Sequence, residues 1–256
     1  MSEWLILFLV CIGALFSGFI DAVVGGGGLV QVPVLLILFP ELSHVQVIAT
    51  NRFASVAGTC VAAFHYVKSV GIDTAVVVVA GISSALSAFG GTFVMKLISP
   101  SVFKPILLIV IILLAVYTFL KKDLGAAHLP KYKGKNLLFV SALIGLVLGF
   151  YNGFIGPGTG TLLVFSFVSI AGMSFIKASS NSKVINAIAD GASLVGFLLS
   201  NSVVFKIAIP MMVCNMLGGY IGSKAAILKG NSFIRTVFLI VMVLLILRLA
   251  KDILIK

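Results

Sequence analysis

The sequence predicts an all-α integral membrane protein made of two internal repeats, and three observations carry that prediction. Of 256 residues, 61% are hydrophobic and only 10% are charged, where ordinary soluble domains carry about 25% charged residues. The apolar residues gather in runs that approach the roughly 20 residues a helix needs to span a bilayer. A glycine-rich interruption also appears twice, at corresponding places in the two halves.

Taken in order, the first apolar run covers residues 4–39, and within 5–39 the only charged side chain is Asp21. Gly25, Gly26, Gly27 and Gly28 interrupt it. Each glycine costs a helix interior about 1 kcal/mol relative to alanine. In lipid a freed backbone group has no water to bond to, so such a break persists only inside protein or beside a polar cavity. Glycine also lets a solute touch the backbone. An acid beside this break points to a solute site within the bilayer; the plainer alternative is a tight turn between two membrane helices. The run has no basic leader and exceeds the 7–15-residue apolar core of a signal peptide.

The first half reads as segments 4–24, 29–39, 45–67, 74–98 and 103–120, forming a first membrane repeat over 1–120. A connector, 121–136, carries Lys121, Lys122, Lys131, Lys133 and Lys135 against Asp123, with Gly125, Pro130 and Gly134 suited to a loop. Its lysines place it on the cytoplasmic side by the positive-inside rule. The second half, 137–256, gives segments 137–155, 161–176, 178–205, 207–228 and 233–255.

The halves match without a gap. Gly18-Phe19 recurs as Gly149-Phe150, 131 positions later. The same offset pairs Gly25 with Gly156, Gly27 with Gly158, Gly91 with Gly222, Lys104 with Arg235, Asp21 with Asn152 and Arg52 with Lys183. The second break holds Gly156, Gly158 and Gly160 around Pro157, a further helix breaker. Segments 29–39 and 161–176 are short to span and read as half-helices whose positive N-terminal ends face a cavity, which suits an anion. Repeats with broken helices meeting at the membrane midplane are the architecture of secondary transporters. Five crossings per half, or three with re-entrant breaks, invert the repeats; four make them parallel. Inverted repeats let half-helices from opposite sides meet, and are the expectation here.

Arg52 and Lys183 lie inside apolar segments, where a cation costs about 2.5–3.5 kcal/mol on insertion scales. On the functional reading both flank one anion, Arg52 by bidentate hydrogen bonds. On the structural reading Arg52 pairs with Asp21, and Lys183 pairs with Asp190 or snorkels to a headgroup. Thr50, Asn51, Asn181 and Ser182 are the candidate neutral ligands; Ser55 and Asn186 are also nearby, and all of these can instead be interhelical glue. Asp21 and Asp190 are the candidate proton carriers, because burial disfavours a carboxylate's charged form. His65 sits near a segment end and reads as interfacial. Cys11, Cys60 and Cys214 share no metal-ligand spacing and read as buried small hydrophobes.

The stretch GFIDAVVGGGGLVQVP, followed by Ala49-Thr50-Asn51-Arg52, resembles the sulfite exporter TauE/SafE family, also called the 4-toluene sulfonate uptake permeases. The stretch GFYNGFIGPGTGT, followed by residues 180–186, is similar to its YfcA-like branch. The resemblance covers essentially the whole chain. It implies a multi-pass permease of the cell (inner) membrane for sulfite, sulfonates or related organosulfur anions. In that branch an acid often stands where this chain has Asn152, so the resemblance assigns no carboxylate role there.

The net charge of +11 fits membrane topology and anionic headgroups, with no reason to invoke nucleic acid. The expected partners are a small anionic solute and the lipid bilayer, with homo-oligomerisation open. No cofactor or metal is expected. An anion channel is the nearest alternative to a proton-coupled permease. A membrane enzyme is the weaker one, since the sequence holds no His–Glu metal pattern, Ser–His–Asp set or paired catalytic acids.

Overall fold

A computed structural model describes residues 3–95 and 128–254. Among the described residues every regular element is a helix. They are α1 (Glu3–Val24), α2 (Gly27–Leu38), α3 (His44–Ser69), α4 (Thr74–Val94), α5 (Gly134–Phe154), α6 (Thr159–Ser169), α7 (Phe175–Leu199) and α8 (Phe205–Leu254). Segment 103–120, with Lys104, and the start of the connector, with Lys121, Lys122, Asp123 and Gly125, lie outside the described residues. α8 turns at Gly230, whose φ of 69° and ψ of −158° are not helical, so it comprises the two segments expected there.

Six described helices are long and apolar enough to cross a membrane. Their outward faces carry large apolar side chains, Trp4, Phe64, Leu86, Leu199 and Leu228 among them. Asp21, Arg52, Lys183 and Asp190 are buried instead. An exterior this apolar around a charged interior is the arrangement lipid demands.

Local chemistry sets the helix ends. Ser43 and Gln46 form a capping box at the start of α3, and the Asp73 and Ser174 side chains accept from Val76 and Lys177 N–H to start α4 and α7. α2 and α6, of 12 and 11 residues, are the half-helices expected from the sequence. At 1.5 Å per residue each is about 18 Å long, roughly half a bilayer. Their bounds correct the sequence reading in one respect. Within the two breaks the backbone is non-helical only at Gly25–Gly26 and over 155–158, so Gly27, Gly28 and Gly160 belong to the first turns of α2 and α6. The free N–H groups of those first turns need no side chain, and glycine there keeps them accessible.

α1 packs along α8, and α4 along α5. Glycines make these contacts close: Gly18 faces the Asn215 carbonyl and Gly149 the Ser84 carbonyl, while Gly222 faces Phe19 and Gly91 faces Phe150. Each of these pairings recurs 131 residues on. α3 and α7 cross the middle and pack on each other.

Hydrogen bonds identify the two ends of the bundle. At one, Lys177 and Ser180 donate to the Gly71 carbonyl at 3.3 and 2.8 Å, and the Leu129 and Lys131 N–H groups donate to Gly172 and Ala171. At the other, the Val204 N–H donates to Thr50 Oγ1 at 3.1 Å, and Val204, Phe39 and Leu42 pack against one apolar cluster.

Candidate functional site

The two breaks meet. Thr161 N–H donates to the Gly25 carbonyl at 3.2 Å, which joins the first break to the first turn of α6. Gly25, Gly156 and Gly158 have φ of 84°, 89° and 91°, in the left-handed region that glycine alone enters without strain. A Cβ on Gly25 would collide with the backbone of Gly160. The chain therefore needs glycine here twice over, for conformation and for close approach.

A small polar cavity opens beside this junction. Asp21, Gly25, Gly28, Asn51, Arg52, Gly156, Gly158, Gly160 and Asp190, all candidates read from the sequence, line it. It places the starts of α2 and α6 on one cavity, so two helix N-termini direct partial positive charge into it.

Arg52 is 5% exposed and forms an ion pair with Asp190. Its Nη2 donates to the Asn152 carbonyl at 2.7 Å, while its Nε–H has no partner. Asp190 is held further by Asn152 Nδ2 at 2.7 Å and Asn186 Nδ2 at 2.9 Å. The second pair is Lys183 with Asp21, 3.3 Å from Nζ to Oδ2, with Lys183 also donating to the Asp21 carbonyl. Thr59 Oγ1 donates to Asp21 Oδ2 at 3.1 Å.

These pairs correct the structural reading of the charges. Arg52 pairs with Asp190 rather than Asp21, and Lys183 with Asp21 rather than Asp190. Lys183 and Asp190 are seven residues apart on α7, about 10 Å along the axis, so they share a face without touching. Lys183, 1% exposed, does not snorkel.

The two clusters correspond. At the 131-residue offset Asp21 matches Asn152, Thr59 matches Asp190 and Lys183 matches Arg52. Each cluster thus holds one cation, one acid and one neutral polar group. The acid stands on the first helix in one cluster and on the third in the other.

Several expected ligands lie elsewhere. Thr50 and Asn181 are 131 apart, and each accepts from a backbone N–H in the other half: Thr50 Oγ1 from Val204, Asn181 Oδ1 from Asp73 at 2.9 Å. They anchor helix starts. Thr50→Val and Asn181→Leu are each expected to cost about 1 kcal/mol of stability, read by thermal denaturation in detergent, with solute binding unchanged. Gly26 packs near Val241 and Gly27 against Ser17 and Asp21, and neither glycine lines the cavity. Ser182 and Lys183 are buried outside it. Cys60, read as buried, is exposed. His65 bonds Ser223 at 2.9 Å.

The cavity also uses residues the sequence reading had not selected as ligands: Ser55, Pro157, Thr159 and Asn186. Ser55 and Asn186 each lie three residues after a cation, on its helix face, and are 131 apart. That combination of spacing and offset was the available signal.

Comparison with known proteins follows the same lines. Residues 10–249 match the family described as Sulfite exporter TauE/SafE. A "Probable membrane transporter protein" of Haemophilus influenzae is 30% identical over 248 residues, 97% of this chain and 95% of that one. The "Probable membrane transporter protein ORF9" of a Sinorhizobium species is 29% identical over 96% of this chain and 93% of its own. The "Probable membrane transporter protein YfcA" of Escherichia coli K12 is 27% identical, covering 96% and 89%. No solved structure matches the chain significantly. With a match that runs almost from end to end, around a multi-pass helical bundle, the chain belongs to the sulfite exporter TauE/SafE family of membrane transporters.

Proposed function

We propose that this chain is a secondary permease of the inner cell membrane for small oxyanions such as sulfite or sulfonates, and that a proton accompanies the anion. The observation that carries the reading is the cavity where two half-helix N-termini converge on Arg52. The orphan Nε–H of Arg52 offers a donor that no protein group uses. Asn51, 6% exposed, lines the same cavity with its Nδ2 beside Gly28 and offers a further donor.

Charge balance supports the proton. Arg52 and Lys183 are matched by Asp21 and Asp190. An entering monoanion leaves one negative charge in excess, which one proton on either carboxylate cancels. The repeats, 1–120 and 137–256 about the connector 121–136, are proposed as inverted. α1 and α2 form a hairpin at one end of the bundle and α5 and α6 one at the other, so the two breaks come from opposite faces. Lys68, Lys131, Lys133, Lys135, Lys177 and Lys229 lie at or near the end holding residues 70–73. The positive-inside rule makes that end cytoplasmic.

The test is binding and counterflow in proteoliposomes with sulfite, thiosulfate, sulfoacetate, taurine and simple carboxylates. Arg52→Gln is expected to weaken anion binding by roughly 1.5–3 kcal/mol, the range for a charged hydrogen bond. Asp21→Asn is expected to abolish uptake driven by a pH gradient while anion exchange, which moves no net proton, continues. Unchanged pH-driven uptake would make Asp21 structural. Flux far above carrier turnover, without stimulation by anion on the far side, would instead identify a channel.

A further inference from the structure

The polar interior does not end at the cavity wall. α3 and α7 run antiparallel. Arg52 meets Asp190, Thr59 and Lys183 meet at Asp21, and Tyr66 comes close to Ser179. Positions 52, 55, 59 and 66 share one face of α3, and 190, 186, 183 and 179 one face of α7. The cavity occupies the Arg52 end of this seam.

Beyond Asp21 the seam is closed yet still polar. Tyr66, Ser179 and Ser182 are no more than 1% exposed, and none of their hydroxyls reaches hydrogen-bond geometry with a partner. On α4 and α5 the half-buried Ser83 and Ser87 and the buried Ser141 return their proton to a carbonyl one turn back, while single buried hydroxyls elsewhere, Ser17, Ser84 and Thr161, have no partner. The seam differs in gathering three unpartnered hydroxyls between the same two helices, and a buried unmade hydrogen bond is destabilising. The packing does not demand them either. The positions 131 residues away from Tyr66 and Ser179 hold Phe197 and Ile48.

We propose that this seam is the closed half of the solute route. It leads from the cavity past the Lys183–Asp21 pair, then Ser182, Ser179 and Tyr66, to the end of the bundle at residues 70–73, and it fills with water and the oxyanion when the protein opens to that face. Lys177, held at the Gly71 carbonyl, puts a cation at the mouth. The proposal rests on the transport reading of the cavity.

The test uses the full chain with Cys11, Cys60 and Cys214 replaced, reconstituted in vesicles, carrying Ser179→Cys or Ser182→Cys. A membrane-impermeant methanethiosulfonate bearing a sulfonate is applied to one face at a time, with Phe197→Cys as the comparison. Labelling of the seam cysteines from the 70–73 face alone, with Phe197→Cys silent, is the expected result. Tyr66→Phe, which removes one unsatisfied hydroxyl from the closed state, is expected to slow that labelling about fivefold. Silence at both seam positions from both faces overturns the proposal, whatever the flux assay shows. One-sided labelling without flux of any anion tried supports the seam and counts against the transport reading.

Discussion

Asp190→Asn is expected to lower stability by about 3–5 kcal/mol, the range for leaving one member of a buried ion pair uncompensated. Arg52 would keep its charge, its burial and its bond to the Asn152 carbonyl, but would lose its carboxylate. Asp190 is also the acceptor for Asn152 and Asn186, so the amide side chain disturbs three contacts at once. The double variant Asp190→Asn with Arg52→Gln is expected to recover most of that loss, because both charges leave together. Asp21→Asn with Arg52→Gln should not recover, since it strands Lys183 and Asp190 instead of a matched pair. Denaturant or thermal unfolding in detergent reads all three. Recovery in the Asp21–Arg52 double variant, and none in the Asp190–Arg52 one, would overturn the pairing described above.

Gly25→Ala is the second large effect. Holding φ near 84° with a Cβ costs about 1–2 kcal/mol, and overpacking against backbone adds typically 1–3 kcal/mol. The obstacle is the Gly160 backbone itself, which has no rotamer to yield. Separation of the breaks would also cost the bond from Thr161 to the Gly25 carbonyl and dismantle the cavity wall. Anion binding should be lost with stability. Gly28→Ala makes the contrast: its φ is ordinary, and its Cβ would stand 3.2 Å from Pro157 Cα. It is expected to fold, at a cost under about 1 kcal/mol, and to narrow the cavity. Equal stability of Gly25→Ala and wild type would mean that the breaks do not meet as described.

Much of this was legible in the sequence, for definite reasons. Helix-breaking glycines within an apolar run have few physical explanations in lipid, so the breaks and the starts of the half-helices could be placed to within a few residues, while α6 ends at Ser169 and not at 176. The choice of partner for each cation could not be read that way. Asp21 is the only acid inside an apolar segment of the first half, and Asp190 shares a helix face with Lys183, yet the antiparallel packing of α3 on α7 brings Arg52 to Asp190 instead. Thr50 and Asn181 stood out by adjacency to the cations. Two residues along a helix, however, turn a side chain by about 200°, away from the cavity and toward the neighbouring helix start. Ser55 and Asn186, a turn away on the same face, were the better candidates.

The crossed ion pairs have a consequence for how the protein is made. Arg52 enters the membrane 138 residues before Asp190 exists. At typical synthesis rates that interval is on the order of ten seconds. Over that time a nascent first half holds an arginine in the bilayer with its final partner still in or behind the ribosome. Asp21 is already present and without Lys183, so it is the natural interim counterion. In the finished protein Arg52 pairs with Asp190 and Asp21 with Lys183, so each half's charge balance is completed only once α7 has been made.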